Sequence, residues 1–216
     1  LSSQQAATEF ARFANIVGMS QDDFDRLGSS IVDLGNNLAT TESEISSMAM
    51  RLAGAGAQIG LTEPQILAFS AALSSVGIEA EAGGSAFSKV MVEMQLAAEK
   101  SGDELKAFAD VAGVSAQEFK QAFENDAANA IMMFIEGLST AEDRGLSAIG
   151  ILDEMGLTEV RLRDALLRAA GATDTFNDAL EIGNKAWEEN TALTEEAEKR
   201  YGTTESQLKI MWNRIR

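Results

Sequence analysis

The sequence predicts an all-α protein, an irregular bundle of about eight to ten short helices with a longer C-terminal helical segment. Three observations carry that expectation. Pro64 is the single proline, so helix breakers are scarce. Apolar residues recur at spacings of three and four, with almost no β-branched alternation that would read as strand. And a short glycine-led pattern recurs along the chain: "GMSQDDF" at 18, "GLTEPQI" at 60, "GVSAQEF" at 113 and "GLTEVRL" at 156.

Each copy reads as the end of one helix and the start of the next. The glycine can take the left-handed conformation that terminates a helix. An apolar residue follows, then a hydroxyl N-cap, at Ser20, Thr62, Ser115 and Thr158. A second apolar residue lies four positions after the cap. The pairs Met19 with Phe24, Leu61 with Ile66, Val114 with Phe119 and Leu157 with Leu162 are therefore predicted hydrophobic staples. Thr62 with Gln65 and Ser115 with Glu118 have the spacing of capping boxes. The starts are separated by 42, 53 and 43 residues. This pattern fits a module at 1–182 made of two related halves, about 1–100 and 101–182, and it equally fits ordinary helix punctuation that recurs.

Between the second and third starts lies "GIEAEAGGSAFSKVMVEM", whose Phe87, Val90, Met91 and Met94 share one helical face. Gly83 and Gly84 stand side by side at its beginning, although each glycine costs a helix interior about 1 kcal/mol relative to alanine. They mark either a hinge or a place where another helix approaches closely, with Ser85 as cap of the remainder. Faces carrying Phe24, Phe69, Phe87, Met91, Phe119, Phe123, Phe134 and Leu162 are the expected core. From 183 to 216 the chain reads as a polar helical extension. Trp187, Thr194, Tyr201, Leu208 and Ile215 are seven apart, so the alternatives there are a coiled-coil start and a helix docked on the module.

Composition removes many functions. With no cysteine and no histidine, disulfide frameworks, thiolate or histidine nucleophiles and the usual zinc sites are excluded, and no cofactor is expected. The balance of 34 acidic against 17 basic residues, net −17, argues against direct nucleic-acid binding, which draws its affinity from clustered lysine and arginine. "RLRDALLR" and "KIMWNRIR" are short basic runs on helical patterns, read as solvated faces or partner contacts. The longest apolar run, Ala130 to Ile135, is far below the roughly 18–20 residues of a membrane span, so no membrane contact is expected. Acids in "QDDFDRLG" favour the positive end of a helix dipole and lack the spacing of a calcium loop. A carboxylate-dependent glycosidase would need two converging acids, and Glu79 with Glu81 is the nearest pair, read more simply as a solvated first turn. The absence of an initial methionine and the helical pattern at the end suggest a piece of a longer polypeptide.

Four blocks resemble the core region of bacteriophage tail tape measure proteins, also called minor tail or tail-length proteins of phages and prophages. They are "GLTEPQILAFSAALSSVGIEAEAGGSAFSKVMVEM", "FADVAGVSAQEFKQAFENDAANAIMMFIEGL", "LDEMGLTEVRLRDALLRAAG" and "KAWEENTALTEEAEKRYGTTESQLK", in that order between Gly60 and Lys209, within a resemblance that extends from about Leu1 to Ile215. A small-residue pair after "GIEAEA" belongs to the family's pattern; Ser85 and Phe87 stand where the family more often has threonine and an aliphatic residue. The resemblance implies a structural virion protein with no enzymatic role for this region. It would set tail length by templating tail-tube assembly and leave ahead of DNA at ejection. Implied partners are the tail-tube protein, tail assembly chaperones and baseplate or tail-tip proteins; the implied location is the tail interior, with the host cytoplasm during assembly. The competing expectation is a helical adaptor or chaperone-binding module that offers a groove to partner peptides.

Overall fold

The computed structural model describes residues 3–199, and among them every regular element is helical. Eleven α-helices follow one another: α1 (Ser3–Val17), α2 (Phe24–Asn37), α3 (Glu42–Gln58), α4 (Glu63–Ser75), α5 (Ser85–Lys100), α6 (Asp103–Ala112), α7 (Ala116–Asn125), α8 (Ala127–Ser139), α9 (Ala148–Glu154), α10 (Val160–Ala170) and α11 (Thr173–Glu189). Residues 192–199 are again helical. The number slightly exceeds the sequence expectation because two short glycine-terminated helices, α6 and α9, are separate elements. None of the described helices is long and apolar enough to cross a membrane.

The axis of the molecule is α4. Its sequence is apolar or small on every face, and every residue from Ile66 to Leu73 is buried, as expected of a helix surrounded by others. It packs between α3, α2 and α11. Small side chains set these distances. A Cβ on Gly183 of α11 would lie 3.0 Å from the Pro64 carbonyl oxygen and 3.3 Å from Ala68 Cβ of α4. Buried serines follow the same logic, because each hydroxyl must find an acceptor. Ser70 donates to the Ile66 carbonyl at 2.6 Å, and Ser30 donates to the Gly183 carbonyl at 3.4 Å.

Large aromatic rings tie the layers together. Phe69 of α4 sits 6.0 Å from Phe87 of α5 and 6.2 Å from Phe176 of α11, centroid to centroid. Farther along, α6, α7 and α8 pack on one another through Phe108, which lies 6.1 Å from Phe119 and 5.1 Å from Phe134. Of the expected core residues, Phe24 differs. It is only half-buried, because it lies on the outer edge of α2 with Phe10 of α1 edge-on against it at 6.2 Å.

One contiguous core extends from Phe13 to Ala179. The expected division near 100 and 101 falls at the α5–α6 turn, and both sides contribute to that core. The expected boundary at 182 and 183 falls inside α11, which continues to Glu189 and buries Gly183 and Ala186. Trp187 packs against the core rather than leading a free seam. The seven-residue pattern is then interrupted at Asn190, which adopts φ 52° and ends α11. Its later members Tyr201, Leu208 and Ile215 lie outside the described residues.

Candidate functional site

Three features could carry function: the glycine-led helix starts, the Gly83–Gly84 pair, and the clefts around α9. At the starts, Gly18, Gly60, Gly113 and Gly156 all have φ between 74° and 85°. In each, the amide after the glycine donates back to a carbonyl five residues earlier: Met19 to Ala14, Leu61 to Gly56, Val114 to Ala109 and Leu157 to Leu152, at 2.8–3.0 Å. This is the Schellman closure, which satisfies carbonyls that a helix end leaves without partners. Gly77 and Gly145 close in the same way, through Ile78 to Leu73 and Leu146 to Ala141. The sequence reading missed "GLSAIGI" at 145, a fifth copy whose signal was plain: glycine, apolar residue, then Ser147, which caps α9 by accepting from the Gly150 amide.

The caps divide three to one. Ser20 accepts from the Asp22 amide at 3.2 Å and opens a 3-10 turn that leads into α2. Thr62 and Gln65 bond reciprocally at the start of α4, as do Ser115 and Glu118 at the start of α7. Thr158 does not cap. The first residue of α10 is Val160, so Thr158 stands one residue before the N-cap, Glu159, which makes no side-chain cap bond; the Glu159 carboxylate instead pairs with Lys89 at 2.7 Å. That pairing holds the Lys89 ammonium above the usual lysine range. A further capping box, Thr41 with Glu44, was not singled out from sequence. In both Glu44 and Glu118 the cap hydroxyl and backbone amide bond the carboxylate and hold it below the usual glutamate range.

At the beginning of α5, residues Ala80–Gly84 form a π-helical turn that runs without a break into the helix. Gly83 and Gly84 are buried, and Gly84 has ordinary right-handed angles, φ −61° and ψ −42°. Space, rather than conformational freedom, is what glycine provides. A Cβ on Gly83 would fall 1.9 Å from Ile78 Cγ2, and one on Gly84 would fall 2.8 Å from Met48 Sδ and 3.0 Å from Arg51 Cβ of α3. Ser85 is not the cap; its hydroxyl donates to the Glu81 carbonyl at 2.8 Å from within the continuous turn. Ser88 donates to the Arg51 carbonyl at 2.9 Å, which fixes the same crossing. Glu79 and Glu81 are exposed, and Glu81 faces Arg51 at 3.7 Å rather than a second acid in a cleft.

Among the described residues, no group of three or more acidic side chains is placed to hold a metal ion. The clefts beside α9 are open and shallow. One, about 270 Å³, lies between α5, α6 and the turn after α9, with Leu96, Phe108 and Met155 on its floor. The other, about 360 Å³, lies on the far side of Met155 and Glu154 against Val111 and Leu146.

Comparison with known proteins agrees with a structural part. Residues 1–155, from α1 through α9, match the family described as phage-related minor tail protein. Neither a curated protein nor a solved structure matches the chain. The chain belongs to the phage-related minor tail protein family.

Proposed function

We propose that this chain is a segment of a tail tape measure, a structural component that sets tail length and acts without catalysis. The family match, which spans an all-helical module, carries this reading. The order of the four sequence blocks supports it. The tail-tube protein would polymerise around the segment, tail assembly chaperones would hold it beforehand, and baseplate or tail-tip proteins would anchor the parent polypeptide. On this reading the segment occupies the tail interior in the virion and the host cytoplasm before assembly.

The bundle is then the state that precedes assembly. As one continuous helix, 216 residues would reach roughly 320 Å at about 1.5 Å per residue. Opening the bundle exposes one contiguous apolar core, so the tube wall must cover the faces that the core covered. The test is tail length by negative-stain electron microscopy after in-frame deletion of the codons for residues 1–216. A ruler segment shortens tails by roughly its extended length, about 320 Å. Tails of unchanged length would show that the segment is not counted.

A further inference from the structure

Helix α11 lies across α2 and α4, and it is held there differently from its neighbours. Its inward residues are mostly small: Ala179, Gly183 and Ala186 are buried, and Phe176 is its one large side chain that is fully enclosed. The helix α3, which packs on the same α4, encloses Ile45, Met48 and Leu52 completely. On leaving the bundle, α11 therefore carries less apolar side chain into water than α3 would. Its exposed face carries Asp174, Asp178, Glu181, Glu188 and Glu189 against Lys185, in a chain of net charge −17. Like charge thus opposes its seating.

The two ends of α11 differ from each other. At its start, only Gly171 and Ala172 join it to α10, and Ala172, its N-cap, makes no side-chain bond. At its far end, Asn190 turns the chain at φ 52°, and two bonds converge on the buried Ser29 of α2. The Ser29 hydroxyl donates to Asn190 Oδ1 at 3.0 Å and accepts from the Leu193 amide at 3.4 Å. Gly28 leaves room for the Leu193 side chain, since a Cβ there would stand 3.3 Å from Leu193 Cδ2 and 3.6 Å from the Phe10 ring. Leu193 nevertheless stays 41% exposed, so this end is fastened by a polar clasp more than by burial. Beneath α11 lies an apolar trough: Gly183 sits over Leu34 and Ala68, and Phe176 over Phe69. We infer that α11 is a strap, hinged at Gly171–Ala172 and clasped at Ser29, which opens as one unit while α3 to α8 stay folded and so uncovers the trough of Leu34, Ala68 and Phe69. The inference concerns the free chain and does not depend on its being a tape measure.

Native-state hydrogen exchange on the full chain tests it. The amides from Phe176 to Trp187 should exchange as one set, about tenfold or more faster than the slowest amides of α3 and α4. Their rate should also rise less steeply with urea, because strap opening exposes less surface than global unfolding. The cysteine-free chain permits a clamp, Ser29→Cys with Asn190→Cys joined by dibromobimane, at positions whose side chains meet at 3.0 Å. The clamp should slow the α11 set until it exchanges with the core amides, whereas the same double variant without the linker keeps the two sets apart. Exchange of α11 together with the core in the parent chain, or a difference that survives the clamp, overturns the inference.

Discussion

The helices α2, α4 and α11 and the stretch from Arg144 to Val160 solve opposite problems with similar residues. In the first region, leucine, phenylalanine, alanine and serine are fully enclosed, and helices approach until only glycine fits, as at Gly183. In the second, leucine, isoleucine and valine face solvent: Ile149 is 54% exposed and Val160 82%, and α9 buries Leu152 alone. Apolar content does not separate them; how many neighbouring helices surround each element does. The enclosed region supplies stability, and the uncovered one supplies a surface that a further segment can cover.

That contrast should appear first in stability. Phe69→Ala removes a ring that joins α4 to α5 and α11, and should cost about 4 kcal/mol in urea unfolding. Gly137→Ala should follow at about 3 kcal/mol, since the new Cβ would meet the Val111 carbonyl oxygen of α6 at 2.0 Å. Thr62→Ala, which breaks the capping box of α4, should cost about 1 kcal/mol by the same measurement. Ile149→Ser, in the uncovered region, should change stability by no more than about 0.5 kcal/mol. If Ile149→Ser cost as much as Phe69→Ala, the two regions would not differ as described.

The smallest effect concerns pH. Glu44 and Glu118 are held below the usual glutamate range by bonds from Thr41 and Ser115. Their contribution is complete above the ordinary glutamate pKa and is lost as pH falls through the lowered values. Thermal melts should therefore show a shallower acid-side loss of stability in Thr41→Ala and Ser115→Ala than in the parent chain. An unchanged acid limb would mean that the capping boxes are too solvated to couple folding to protonation.

The helical class and the punctuation were legible in the sequence because they are local. A glycine followed by an apolar residue and a hydroxyl states its own geometry, and Gly18, Gly60, Gly113 and Gly156 adopt it. Thr158 shows the limit, since a cap works only where the helix actually begins, and α10 begins at Val160 with Glu159 at its N-cap and paired to Lys89, seventy residues away. Gly137 shows the same limit. What excludes a side chain at Gly137 is the α6 backbone, a contact that no local pattern states, whereas Gly83 is closed off by Ile78, five residues earlier. The first cleft beside α9 was invisible for the same reason as the Gly137 contact: Glu93, Glu104 and Glu154 are scattered in sequence and meet only when α9 lies beside α6.

The central claim, a bundle that opens on assembly, has a direct test in the pair Lys89 and Glu159, whose side chains meet at 2.7 Å across α5 and the start of α10. In a continuous helix the two positions would stand about 105 Å apart. With Lys89→Cys and Glu159→Cys in the otherwise cysteine-free segment, a short bis-maleimide should bridge them in the free protein and fail to bridge them in assembled tails. Equal bridging in assembled tails would show that the bundle persists there, and the extended ruler would be wrong.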